Sequence, residues 1–393
     1  MRLLTAISLL ALTCSWSAQA AEIKEWTYLT FLNGHNNLDP FGAIDINEAE
    51  KVGSTDQINI VFQWASLASK TTKRLLITKD SDPTLVTSPV IQELPRVDMG
   101  DWRALADFIQ WGAENFPAKR YFVSVWNHGT GWHKFKLSGV INPSDISLDD
   151  LTGNYITTRQ LGEAMRVASE ALGRKIDLYG SDACLMAMAE VASEMSDSVD
   201  FFVGSQELEP GRGWPYDQFL SAWAKKPELT PPEVAKLLAQ EYFKSYQGGT
   251  QGTAEVTFSA FDLSKINTLH SAVGALSQKI QTLSSADRDK VILAAKNTLN
   301  FFYEDYRDLG EFARRTKALS VHRDLKTAAT AVENAVKSFV ITAQNSSAYS
   351  AASGVSFWLP TEKYSYDSYK SAYSELRFQE KTSWSEAAKT LVK

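Results

Sequence analysis

Cysteine is nearly absent from this chain: Cys14 and Cys184 are the two thiols in 393 residues. So few cysteines exclude a disulfide framework. Basic blocks are also missing. Forty Lys and Arg stand against 46 Asp and Glu, for a formal charge of −6, and this balance excludes nucleic acid as a partner. No repeat or low-complexity tract occurs. Histidine is sparse, with five residues (His35, His128, His133, His270, His322) scattered along the chain. The closest pair, His128 and His133, lacks the i, i+4 spacing of a helical zinc motif, so no metal and no cofactor is expected. The sole long apolar run, 3–12, is too short for a membrane span, which needs ~20 residues.

That run reads instead as an export signal. Met1-Arg2 supplies a short positive start, and Ala18-Gln19-Ala20 fits the small-x-small cleavage rule. The expected division is a signal peptide over 1–20 and a mature chain from 21, exported to the periplasm or the medium. Cys14 belongs to the leader; Leu12-Thr13 before it is a poor lipoprotein signal. The mature chain therefore keeps one thiol, Cys184, which excludes an intramolecular bridge. It is either an inert small apolar residue or a nucleophile.

The mature length suits one large domain with additions, or two domains. Apolar β-rich runs over 26–32, 58–64, 121–126, 176–181 and 201–205 predict buried strands, with an edge strand over 74–78. Helices are expected over 41–52, 101–115 (capped by Asp101), 158–172 (ended by Gly173) and 185–195. Such alternation implies βαβ units and a mostly parallel sheet covered on both faces. The second half is more helical, with helices over 231–246, 263–283 and 288–303 and strands over 253–261 and 354–359. A boundary near 225 divides a core of 21–225 from a helical and strand part, 226–393, that packs on it.

In open parallel sheets ligands bind beyond the carboxyl ends of the strands. Two residues capable of chemistry lie there. His128 follows a strand and precedes Gly129-Thr130-Gly131; Cys184 follows Ile176-Asp177-Leu178-Tyr179-Gly180-Ser181. A thiolate attacks a carbonyl, and an imidazole protonates the leaving amine and later activates water. A helix starting at the thiol would favour the thiolate. The backbone N–H groups of Gly129 and Cys184 are the candidate oxyanion donors.

These residues resemble the clostripain-like cysteine peptidases. The resemblance rests on the segment from Trp26 through Asn33-Gly34-His35-Asn36-Asn37-Leu38-Asp39, on Asp45-Ile46-Asn47-Glu48, on Met99-Gly100-Asp101, and on Trp126-Asn127-His128-Gly129-Thr130-Gly131-Trp132. It continues through Ser181-Asp182-Ala183-Cys184-Leu185-Met186 and Glu209-Pro210-Gly211-Arg212-Gly213-Trp214-Pro215-Tyr216, with weaker likeness at Asp308-Leu309-Gly310-Glu311-Phe312-Ala313 and Gly354-Val355-Ser356-Phe357. The resemblance implies a caspase-like α/β/α sandwich with a mostly parallel central sheet and a largely helical C-terminal part. It also implies a His128/Cys184 dyad and endopeptidase cleavage of protein or peptide substrates through a thioester, after Arg or Lys. A basic side chain needs acidic partners, and Asp182 matches that position, with Glu207 and Glu209 on the following loop. Arg212 departs from the pattern, because a cation there would oppose a basic substrate or pair with Asp182. Two rival readings follow: the same chemistry with a non-basic preference, and a non-catalytic peptide-binding or surface-interaction protein on the same fold. Some relatives are cut between the dyad residues, for which Lys134, Lys136 and Arg159 are the available sites. Some respond to calcium, but Asp145, Asp149 and Asp150 lack EF-hand spacing.

Overall fold

A nine-stranded sheet forms the centre of the computed structural model, which describes residues 23–137, 140–143 and 145–392, with backbone alone for 134–137 and 140–143. The expected leader with Cys14 lies outside the described residues, as do the side chains of Lys134 and Lys136. The strands are β1 (Lys24–Gly34), β2 (Ile58–Ser66), β3 (Thr71–Leu76), β4 (Val90–Pro95), β5 (Ala118–Trp126), β6 (Ile176–Asp182), β7 (Val199–Gly204), β8 (Thr257–Asp262) and β9 (Val340–Asn345). Their spatial order is β9-β8-β7-β6-β5-β1-β2-β3-β4. The five central strands, β7 through β2, run parallel. Antiparallel strands flank them on both sides. The sheet thus takes strands from both sides of residue 225.

Alternation along β1 sets the two layers. Trp26, Tyr28 and Leu32 face one apolar cluster, while Leu29 and Phe31 face the other. The first face is covered by α1 (Asp39–Glu50), α5 (Tyr216–Ala224) and α6 (Pro231–Ser245). The second is covered by α2 (Trp102–Asn115), α3 (Thr158–Leu172), α4 (Ala189–Met195) and the C-terminal helices α7 (Ile266–Gln281), α8 (Ser285–Asn297), α9 (Leu309–Leu319) and α10 (Arg323–Phe339). The result is an α/β/α sandwich. Local signals set the helix ends as the sequence predicts. Asp101 accepts from the Arg103 N–H at the start of α2. Thr157 and Gln160 close a capping box on α3, which Gly173 ends at φ +67°.

Three expectations are corrected. The edge strand is β4, exposed at Val90 and Ile91; the strand expected over 74–78 is β3, one position in. The strand expected from 253 starts at Thr257. The helix expected over 185–195 is α4 alone. Residues 185–188 are held instead by tertiary backbone bonds, Leu185 N–H to Glu207 C=O (3.2 Å), Ala187 N–H to Ser205 C=O (2.9 Å) and Ser356 N–H to Ala187 C=O (3.0 Å).

Candidate active site

The two chemistry-bearing loops leave neighbouring parallel strands. Trp126 at the end of β5 is in register with Asp182 at the end of β6, and the Asn127 N–H donates to the Asp182 carbonyl at 3.2 Å. Beyond this point the loops touch. A Cβ added at Gly129 would lie 2.5 Å from the Cys184 carbonyl oxygen and 3.0 Å from the Ala183 Cβ. Glycine is needed here for the approach of two backbones. On the other side the loop after His128 is fixed by Tyr306, whose buried hydroxyl donates to the Thr130 carbonyl (2.8 Å) and accepts from the N–H groups of Trp132 (3.2 Å) and His133 (2.9 Å).

Cys184 is half-buried, and its sulfur accepts from the Glu209 N–H at 3.2 Å. Burial pushes the thiol up to about 11; the N–H groups of Glu209 and of Cys184 itself oppose this, while the charges of Glu207 and Asp182 add to it. The expected helix N-terminus at the thiol is absent, because α4 begins five residues later at Ala189. Leu185, next to the thiol, sits at φ +64°, a left-handed conformation that costs a non-glycine residue about 1–2 kcal/mol. Its fully buried side chain and its N–H bond to Glu207 hold it there.

His128 is partly buried. Burial lowers its pKa, and the charge of Asp150 acts the other way. Its Nε2 lies 2.7 Å from the Asn37 Oδ1, a partner that sequence reasoning missed. Burial thus favours the uncharged form of both thiol and imidazole.

Near Cys184, on the α1/α5/α6 face, lies a group of buried and half-buried carboxyls. Asp182 accepts from the Tyr216 hydroxyl at 2.8 Å, and Asp45 accepts from the Trp126 indole at 2.7 Å. Glu48 accepts from the Tyr216 N–H at 3.2 Å. Neither carboxyl oxygen of Glu209 meets a hydrogen-bond partner of good geometry, although Asp182 and the Trp214 indole lie close by. Burial raises the pKa of all four acids; Asp182 adds to the rise at Asp45 and Glu209, and Asp217 to that at Glu48. Gly213, at φ +56°, brings its backbone against Asp182, where a Cβ would lie 2.9 Å from Oδ1. Asp45 and Glu48 were not singled out from sequence as site residues; their i, i+3 spacing on α1 was the available signal.

Arg212 is exposed at the rim and forms no ion pair with Asp182; the acid that feels its cation is Glu48. Glu207 turns the other way. Its carboxylate accepts from the Leu208 N–H at 2.8 Å and interacts with Tyr349. Asp145 and Asp149 accept backbone N–H groups, from Thr158 (2.6 Å) and from Met99 (3.0 Å) and Leu151 (2.9 Å). Among the described residues no group of three or more His, Cys, Asp or Glu is placed to hold a metal ion. Arg159 pairs with Glu375 at 2.8 Å and lines a cavity of about 910 Å³ between α3 and the helices Lys363–Tyr373 and Arg377–Thr382. None of Cys184, His128 and Asp182 lines that cavity.

A sequence model of the Clostripain family matches residues 30–390. The chain belongs to the clostripain family. It is 31% identical over 129 residues to clostripain from Hathewaya histolytica, a stretch covering 31% of this chain and 24% of that protein. It thus spans about a quarter of the curated relative it matches. Two solved structures share its architecture. One is a secreted C11 cysteine protease from Bacteroides thetaiotaomicron in complex with an irreversible peptide inhibitor (20% identity, 93% and 99% of the two chains, TM-score 0.68). The other is an inactive zymogen C11 protease from Parabacteroides distasonis (18% identity, 92% and 98%, TM-score 0.67). At these identities the likeness is one of fold, and the expected caspase-like sandwich is the fold of this family member. Among the described residues no helix is long and apolar enough to cross a membrane.

Proposed function

We propose that the chain is an exported cysteine endopeptidase that cleaves after Arg or Lys, with Cys184 as nucleophile and His128 as proton carrier. The observation that carries the basic preference is the buried Asp182/Glu209 pair beside the thiol, where burial holds both carboxyls above their usual range and Asp182 adds to the rise at Glu209. Two acids buried side by side are matched by a cation, and a guanidinium or ammonium at the side chain before the scissile bond supplies one.

The chemistry follows from the neutral starting pair. With substrate seated, His128 takes the Cys184 proton as the sulfur attacks the carbonyl carbon. The tetrahedral oxyanion is received by the N–H groups of Gly129 and Cys184. Collapse breaks the C–N bond, the amine leaves with the proton from His128, and a thioester remains. Water, deprotonated by His128, then displaces the thiolate, which recovers its proton.

A positional-scanning peptide library on the purified protein tests this, with Cys184→Ala and His128→Ala as controls. Turnover restricted to Arg and Lys, and lost in both variants, is expected. Persistent cleavage by Cys184→Ala refutes the nucleophile. Binding without turnover by the wild type favours the peptide-binding reading, and turnover after neutral side chains favours the non-basic one. Arg212→Asp is expected to raise turnover after Arg by about threefold or less, as befits an exposed charge.

A further inference from the structure

The end of β1 and the loop to α1 are rich in polar side chains, and of the amides of Asn33, Asn36 and Asn37 all but the last are committed to holding this segment itself. Asn33 reaches Ser147 Oγ (3.1 Å) and the Leu148 carbonyl (3.0 Å), and its Oδ1 accepts from the His35 N–H. The buried His35 imidazole meets Asp149 at 2.7 Å. Asn36 donates to the Leu148 carbonyl and accepts from the Leu38 N–H, both at 2.9 Å. The Asp150 N–H returns to the His35 carbonyl at 2.8 Å. Asn127, preceding His128, joins the same lattice by donating to the Asn33 carbonyl (2.7 Å) and accepting from the Leu148 N–H (2.8 Å). Three segments are thus fixed against one another. Asn37 is the exposed member of the run. Its amide oxygen contacts the imidazole of His128 at 2.7 Å.

We propose that Asn37 is a positioning residue for His128, making the site a Cys184–His128–Asn37 relay. With its oxygen toward the ring, Asn37 accepts the Nε2 proton. This selects the tautomer whose Nδ1 lone pair is free to receive the thiol proton. A neutral amide fixes the ring without adding charge. His128 then feels Asp150 as its charged neighbour. The inference rests on His128 as the proton carrier.

The test uses the full chain with a peptide substrate that the wild type cleaves. Asn37→Ala is expected to lower kcat by about 10- to 100-fold, part of the usual worth of a placed acid–base group, with KM within about threefold. Asn37→Asp keeps the acceptor and adds a negative charge. It should retain most of kcat at its own optimum and move the acid limb of kcat/KM upward by about one pH unit, because imidazolium is favoured beside a carboxylate. A merely structural role moves no such limb. Thermal melting checks folding, which exposure at position 37 makes insensitive to these changes. Unchanged kcat in Asn37→Ala, or an unmoved limb in Asn37→Asp, overturns the inference. Activity in His128→Ala instead overturns the assignment of the base.

Discussion

Replacing Asp182 by Asn separates what the pocket does for substrate from what it does for the fold. The amide fills the same space and still accepts from Tyr216, which donates to the carboxylate at 2.8 Å. With substrate, the variant loses one charge-assisted bond to a basic side chain. Such bonds are worth about 1.5–3 kcal/mol, so kcat/KM after Arg should fall by about 10- to 150-fold. Without substrate the sign reverses. Burial raises the Asp182 carboxyl from 3.8 to about 7. A raised folded-state value means stability that is complete below the unfolded pKa and is lost as pH climbs through the folded one. Between about pH 4 and 7 the wild type therefore loses stability that the variant keeps. The variant should melt above wild type at pH 8, with a gain on the order of 1–3 kcal/mol, and match it near pH 4. Scanning calorimetry across pH and kinetics on paired Arg and Ala substrates read both halves. Equal losses on Arg and Ala substrates, or a variant melting below wild type at pH 8, would refute the account of the pocket.

Gly129→Ala places a Cβ 2.5 Å from the Cys184 carbonyl. It should part the two loops and cost about 100-fold or more in kcat, as loss of an oxyanion donor does, with the circular dichroism spectrum unchanged. Tyr306→Phe removes the hydroxyl shared by Thr130, Trp132 and His133. Denaturant titration should show a loss of about 1–3 kcal/mol for the stranded backbone groups, accompanied by a fall in kcat because the same loop carries His128. Alkylation of Cys184 in the empty enzyme should keep rising with pH toward the thiol value of about 11; a plateau near neutrality would show a preformed thiolate and contradict the neutral pair.

The central strands were legible because strands buried on both faces read as continuous apolar runs, and Asp101 and Gly173 marked helix ends by local chemistry. β4 escaped notice because it is short, exposed and closed by Pro95. Leu185-Met186-Ala187-Met188 has good helix formers, yet Leu185 takes a positive φ and the segment bonds to Ser205, Glu207 and Ser356. Tertiary partners outweighed propensity there. Cys184 and His128 stood out by type and by position after strands. Asn37 did not, because Asn33, Asn36 and Asn37 look alike in sequence. What separates them is whether Ser147 and Leu148, more than 100 residues away, occupy their amides. Asp45 and Glu48 joined the pocket through contacts to Trp126 and Tyr216 that no local pattern displays.

The charges that would select substrate also restrain the nucleophile. Burial keeps sulfur protonated, with the charge of Glu207 and, to a smaller extent, that of Asp182 adding to it. Cys184 acts on Glu209 in return. A thiol in this state resists adventitious oxidation and alkylation, since the thiolate is the reactive form. If a cationic side chain binds at Asp182 and Glu209 as proposed, it offsets the field of Asp182, and proton transfer to His128 becomes easier when a basic substrate is seated. A neutral side chain leaves the field in place and gains less from the same dyad. On the proposed reading, a basic preference would arise in the attack step as well as in binding, because the cation stabilises sulfur's developing negative charge more than it stabilises the neutral thiol. If the chain is exported as proposed, a nucleophile that is unreactive until its substrate arrives is the one that persists in an oxidising compartment.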